Sequence, residues 1–108
     1  MDALATLLEQ AEAQRNTALA AYRHTRARRD AAREQGTQLD SYRSEHEQRW
    51  QAQLQRDGAG VDIVRLGRQF GARLDDAIAQ QAHALSVCEA ALARADDTLA
   101  AHELRLAS

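Results

Sequence analysis

Helix-breaking residues are few in this chain of 108 residues and are densest in one short stretch, and this constrains its fold more than any other feature. There is no proline, and the residues before this stretch contain a single glycine. Two glycines and two aspartates then fall within residues 57–62, a composition typical of a turn. The pattern predicts a helix over about 2–56, a turn over about 57–62 and a second helix over about 63–106. Asp62 is the predicted N-cap of the second helix.

The second predicted helix carries a regular heptad pattern. One row of apolar residues recurs every seven positions: Ile78, Leu85, Leu92, Leu99 and Leu106. A second row precedes it by four positions in each heptad: Leu74, Gln81, Cys88, Ala95 and His102. This period of 3.5 residues is typical of a left-handed coiled coil, so we expect the two rows to form the seam with a partner helix.

The first predicted helix has a weaker pattern in the same period. One row contains Leu4, Ala11, Ala18, Thr25, Ala32, Leu39 and His46. For the second row we expect Leu7 or Leu8, Ala21 or Tyr22, then Tyr42 and Trp50. Residues 23–34 contain almost no large apolar side chain, so this helix needs a packing partner to be stable.

Folding back at the glycine-rich turn supplies that partner. A bend near residues 59–60 places Trp50 opposite Phe70 and Tyr42 opposite Ile78. At 1.5 Å per residue the helices would be about 80 and 65 Å long. We therefore predict an all-α protein, a long antiparallel two-helix coiled-coil hairpin that forms a single domain over residues 1–108.

Composition argues against several functional classes. Only 19 of the 108 residues are Leu, Ile, Val or Phe, too few for the core of a compact enzyme domain. The four histidines and the single cysteine lack the spacing of helical metal ligands, and the glycines are not followed by the lysine of a phosphate-binding loop. The net charge of −2 disfavours a nucleic-acid binder. We expect no enzymatic activity, no cofactor, no metal and no nucleic-acid partner.

Large apolar residues concentrate near the predicted turn. This apolar cluster contains eight residues, of which three are aromatic: Leu39, Tyr42, Trp50, Leu54, Ile63, Leu66, Phe70 and Leu74. The chain has four aromatic residues in total. A two-helix hairpin buries one stripe per helix, so some of these side chains must stay at the surface. They are either the wider packing of a hairpin end or a docking surface for a partner.

Two motifs flank the turn. The first is Leu39-x-x-Tyr42-Arg43-x-Glu45-His46, and the second is Phe70-x-x-x-Leu74-x-x-Ala77-Ile78-x-x-Gln81. Together they resemble the flagellar export protein FliJ, a family usually written with Leu-x-x-Tyr-x-x-Glu-Tyr before the turn and Phe-x-x-x-Leu-x-x-Ala-Ile-x-x-Gln or His after it. His46 stands where the family usually has an aromatic residue.

The resemblance implies a non-enzymatic component of the flagellar type III export apparatus. Proteins of this family act as a stalk in the hexameric ring of the export ATPase, promote its assembly, and engage export chaperones and the cytoplasmic domain of the membrane-embedded export gate. The face for the gate would comprise Gln35, Leu39, Tyr42 and His46 on the first helix, and Phe70, Leu74, Ala77 and Gln81 on the second. The implied location is the cytoplasm, peripheral at the inner face of the inner membrane.

Two alternatives stay open at this stage. The stalk protein of a virulence-type secretion system has the same architecture, and a self-associating coiled coil would have no export role. We expect a monomer, although the leucine row over residues 78–106 could also support a dimer. Members of the family usually continue beyond the position of Ser108 with a charged helical tail, so functions carried by that tail are not expected of these residues.

Overall fold

The fold consists of two long helices that are separated by three residues. A computed structural model of the chain describes residues 2–58 and 60–108, in which α1 covers Asp2–Asp57, α2 covers Val61–Ala107, and no strand occurs. The contacts divide the chain into two units. The terminal unit contains the chain up to Ala31 together with Ser86–Ser108, and the turn unit contains Ala32–Leu85. In each unit a stretch of α1 packs antiparallel to a stretch of α2, which confirms the predicted helical hairpin; that residues 1–108 form one domain stays a prediction.

The turn is shorter than the six residues expected. Gly58 has a φ of 69°, and its N–H donates to the carbonyl oxygen of Leu54 at 3.1 Å, which ends α1 in a left-handed cap. The N–H of Val64 donates to the carbonyl oxygen of Gly60, so α2 begins at Val61. The prediction that Asp62 is the N-cap is therefore wrong. Asp62 lies in the first turn of α2, where its negative charge interacts favourably with the positive end of the helix dipole.

In the turn unit the seam follows two rows on each helix. In heptad lettering, position a is held by Gly36, Arg43 and Trp50 on α1 and by Val64, Gly71, Ile78 and Leu85 on α2. Position d is held by Ala32, Leu39, His46 and Gln53 on α1 and by Gly67, Leu74 and Gln81 on α2. All of these residues are buried or half-buried. Gln81 also donates a hydrogen bond from Nε2 to the carbonyl oxygen of Ala32 at 2.6 Å, which ties the two helices together across the seam.

In the terminal unit the predicted rows of α2 are also confirmed. Leu99 is 8% exposed, and Leu92, Cys88, Ala95, His102 and Leu106 are half-buried. On α1 the least exposed side chain is that of Ala18, and Tyr22 occupies the second row rather than Ala21. Arg105 donates from Nη1 to Gln14 Oε1 at 3.2 Å, which joins the helices in this unit. In this unit the leucine row of α2 thus packs against α1 of the same chain.

The second row of α1 differs from the prediction at two places. Leu7 and Leu8 are exposed in the terminal unit, and Tyr42 is exposed in the turn unit, where Arg43 takes the seam position. A long arginine can do so because its aliphatic stem packs while its guanidinium reaches the edge.

The register is displaced from the prediction by about three residues. The indole of Trp50 lies against Gly67, at the place where a Cβ of residue 67 would be, and Phe70 instead contacts His46. Two large rings do not fit into one layer of a two-helix seam, whereas an indole over a glycine fills the layer. The pairing of Trp50 with Phe70 is therefore wrong.

Candidate partner-binding face

The two flanks of the turn unit have different chemistry. Arg43, at position a, bonds Asp75 at position e, whereas His46, at position d, contacts Phe70 at position g. Because e adjoins a and g adjoins d around a helix, the e residues of both helices share one flank and the g residues share the other. Charged residues predominate on the e flank, and large apolar residues on the g flank.

We call the exposed apolar part of the g flank the aromatic face. Its members are Tyr42, Ile63, Leu66 and Phe70. Tyr42 is 57% exposed, Leu66 65% and Phe70 51%. Ile63, Leu66 and Phe70 follow the i, i+3, i+7 spacing that places residues on one side of a helix, and Tyr42 adds a ring from α1. Folding within the chain leaves much of this surface uncovered, which is the property expected of an interface.

His46 holds Phe70 from beneath the aromatic face. The two ring centroids are 4.8 Å apart in an edge arrangement with an interplanar angle of 68°. His46 Nε2 lies 3.2 Å from the carbonyl oxygen of Gly67, to which it donates in the tautomer protonated at Nε2. The other side of the imidazole stacks toward Trp50, with centroids 6.4 Å apart. His46 thus contacts Gly67, Phe70 and Trp50, and its imidazole supports the ring of Phe70.

The other residues implied by the resemblance divide between surface and seam. Gln35 is exposed at position g. Leu39 and Leu74 are half-buried at position d, as is Gln81, whose amide is engaged by Ala32. Ala77 is half-buried at position g. All eight residues therefore occupy d and g positions, which places them on the same flank as the aromatic face. Only part of this set is therefore accessible to a partner. The g residues Gln35, Tyr42 and Phe70 are exposed, and the half-buried d residues lie beneath them.

The e flank is organised by one arginine. Arg43 donates from Nε to Asp75 Oδ1 at 2.9 Å and from Nη1 to Glu47 Oε2 at 3.1 Å. The hydrogen bond with Asp75, and then that with Glu47, raises the pKa of Arg43 above its ordinary value. Because the charged form is favoured in the folded chain, this stabilisation is fully present at every pH below the ordinary guanidinium pKa and is lost only as the pH rises through the raised one. Both carboxylates are exposed, so the pairing contributes little to the stability of the hairpin.

Over residues 2–58 and 60–108, no group of three or more His, Cys, Asp or Glu side chains is arranged to hold a metal ion. Within the same described part of the chain, neither helix has a stretch long and apolar enough to cross a membrane.

The family model for the flagellar FliJ protein matches residues 1–108, the whole chain. The chain belongs to the FliJ family. Comparisons with curated proteins and with solved structures gave no match. Membership indicates a role in flagellar protein export, in a family whose members are non-catalytic components of that process.

The sequence pattern alone did not separate seam from surface. It placed Ile63 and Leu66 in the apolar cluster near the turn, but the motif of the FliJ family includes neither. The helical spacing of 63, 66 and 70 was the available signal. Among the cluster, Leu39, Trp50, Leu54 and Leu74 are half-buried, whereas Tyr42, Ile63, Leu66 and Phe70 are exposed, so packing within the hairpin accounts for the first subset only.

Proposed function

We propose that this FliJ-family chain is the stalk and coupling factor of the flagellar export ATPase. It enters the hexameric ring, promotes ring assembly, and engages the cytoplasmic domain of the export gate and the export chaperones. It acts as a monomer in the cytoplasm, peripheral at the inner face of the inner membrane. Family membership and the antiparallel packing of α1 on α2 support this role.

The aromatic face is the observation that carries the gate contact. Tyr42 and Phe70 are large rings that folding leaves more than half exposed. Exposed aromatic residues contribute little to the stability of a hairpin, whereas buried in an interface they commonly dominate its affinity. Phe70 is the anchor, because its ring packs on the imidazole of His46, which is hydrogen-bonded to the carbonyl oxygen of Gly67.

The supporting residues have a different role in this proposal. Leu39 and Leu74 form the half-buried floor between the helices, and Gln35 and Ala77 extend the g row away from the turn. Gln81 holds the helices together at that end through Ala32. Truncating a floor residue should therefore lower stability and gate binding together, whereas truncating Phe70 should lower gate binding alone.

A pull-down from the native cytoplasm and solubilised membranes tests the proposal. The tagged wild-type chain should retain both the export ATPase and the gate protein. The Phe70→Ala variant should lose the gate and keep the ATPase, and Arg68→Ala, two residues away on the e flank, should keep both. If the wild-type chain failed to retain the export ATPase, or failed to retain the gate protein, the proposed role would be refuted.

Self-association is the competing structural role, and sedimentation measures it. The leucine row that could support a dimer packs against α1, with Leu99 only 8% exposed. We therefore expect a monomer at micromolar concentration.

A further inference from the structure

We propose that the aromatic face binds an amphipathic helix that carries acidic residues beside its apolar stripe. The inference deepens the proposed function, on which it rests, by assigning a chemistry to the segment of the gate that docks. The apolar stripe would cover Tyr42, Leu66 and Phe70, and the acidic residues would meet a basic rim.

The basic rim consists of arginines beside the aromatic face. Arg49 and Arg56 hold g positions on α1, and Arg73 holds the neighbouring c position on α2. None of the three forms an ion pair with any of the residues that the structure describes. The acidic residue in the g and c rows of the turn unit is Glu45, so this flank is net positive.

The e flank provides an internal comparison. In its e and b rows Asp40, Glu47 and Asp75 balance the arginines, which are Arg33, Arg65 and Arg68. Arg43 in the seam bonds two of those carboxylates and adds one positive charge to the e flank, whereas the g flank has three arginines and one acid. The larger excess of positive charge, on arginines without an ion-pair partner among the described residues, therefore coincides with exposed apolar surface on the g flank. Such coincidence favours an anionic, apolar ligand there, because complementary charge around an apolar contact sets orientation and speeds association.

The backbone of the turn unit favours a helix as the ligand. The described residues contain no strand, and the amides within α1 and α2 are bonded inside their own helices, so an extended segment has no sheet edge to pair with. Recognition must therefore use side chains. The groove between two packed helices accepts a third helix at an interaxial distance of about 8–10 Å. Ile63, Leu66 and Phe70 extend along about 10 Å of α2, which matches two turns of a docked helix.

The test uses two designed helical peptides with the same leucine stripe, one flanked by glutamates and the other by lysines. The wild-type chain should bind the glutamate peptide at least tenfold more tightly at low salt, and the preference should shrink at high salt as screening increases. The Arg49→Glu/Arg73→Glu variant should lose the preference. The matched Arg65→Glu/Arg68→Glu variant on the e flank should keep it, with circular dichroism showing that both variants are folded.

The second part of the test measures binding of the gate's cytoplasmic domain. Its affinity for the Arg49→Glu/Arg73→Glu variant should fall about tenfold at low salt, against less than twofold for the e-flank variant. Equal binding of the two peptides, or equal losses in the two variants, would overturn the inference. Binding of phosphatidylglycerol vesicles that is lost in the same g-flank variant would overturn it as well and assign the rim to lipid. A gate domain that fails to bind the wild-type chain would refute the proposed function, while the peptide arm still decides the chemistry of the face.

Discussion

Replacing Gly67 by alanine should destabilise the chain, although alanine is the better helix former. On an exposed helix this change stabilises by about 1 kcal/mol. At residue 67, however, the added Cβ would fall on the indole of Trp50. Overpacking of this kind costs about 1–3 kcal/mol, so after subtracting the gain in helix propensity we expect a net loss of up to about 2 kcal/mol in the free energy of unfolding. The loss is limited because Trp50 is only half-buried and can shift.

A double-mutant cycle assigns this loss to the indole. In a Trp50→Leu background the obstacle is absent, so Gly67→Ala should become stabilising by a few tenths of a kcal/mol to about 1 kcal/mol. Gly36→Ala is the matched control, because its Cβ would meet Gln81 Cγ at 3.8 Å, an ordinary contact, and the change should stabilise. Urea unfolding followed by circular dichroism measures all four variants. If Gly67→Ala stabilised the wild-type chain as much as Gly36→Ala does, Trp50 would not lie on Gly67 and the register described above would be wrong.

Three further changes test other parts of the hairpin. Gly58→Ala should cost about 1 kcal/mol in urea unfolding, because a φ of 69° is unfavourable for a residue with a Cβ. Leu99→Ala should cost about 2–4 kcal/mol as a truncation in the seam, whereas Leu104→Ala, 69% exposed, should change the free energy of unfolding by less than about 0.5 kcal/mol; equal effects would mean that the heptad frame is shifted. Asp75→Asn should weaken a bond to Arg43, with a small loss of stability at low salt that disappears at high salt; a loss independent of salt would show that charge plays no part.

The seam of α2 was predictable because its period is carried by large residues. Leu85, Leu92 and Leu99 recur at sevens without interruption, and their half-buried or buried positions follow directly from a period of 3.5. On α1 the period is carried by mixed residue types, and apolar character was a misleading guide. Counting by sevens from Tyr22 reaches Arg43 and Trp50, and both are half-buried. Strict periodicity would therefore have assigned Arg43 to the seam and left Tyr42 outside it.

The register depended on complementary volumes that heptad counting does not include. Trp50 packs against a glycine, and the guanidinium of Arg43 lies 3.5 Å from where a Cβ of Gly71 would be. A tryptophan followed across the turn by two glycines four residues apart is a signal for such pairing. The aromatic face could not be predicted without the register. Phe70 contacts His46 and stays half exposed, whereas the predicted pairing with Trp50 would have placed it in the seam.

The proposal that Phe70 is an interface anchor on a self-sufficient hairpin is tested most directly by titrating the gate's cytoplasmic domain with Phe70→Ala. Calorimetry gives the affinity, and urea unfolding of the same sample gives the stability. We expect the affinity to fall about thirtyfold, equivalent to about 2 kcal/mol, with the helical content retained and the free energy of unfolding changed by less than about 1 kcal/mol. An unchanged affinity in the folded variant would contradict the account and reduce the aromatic face to packing at the turn.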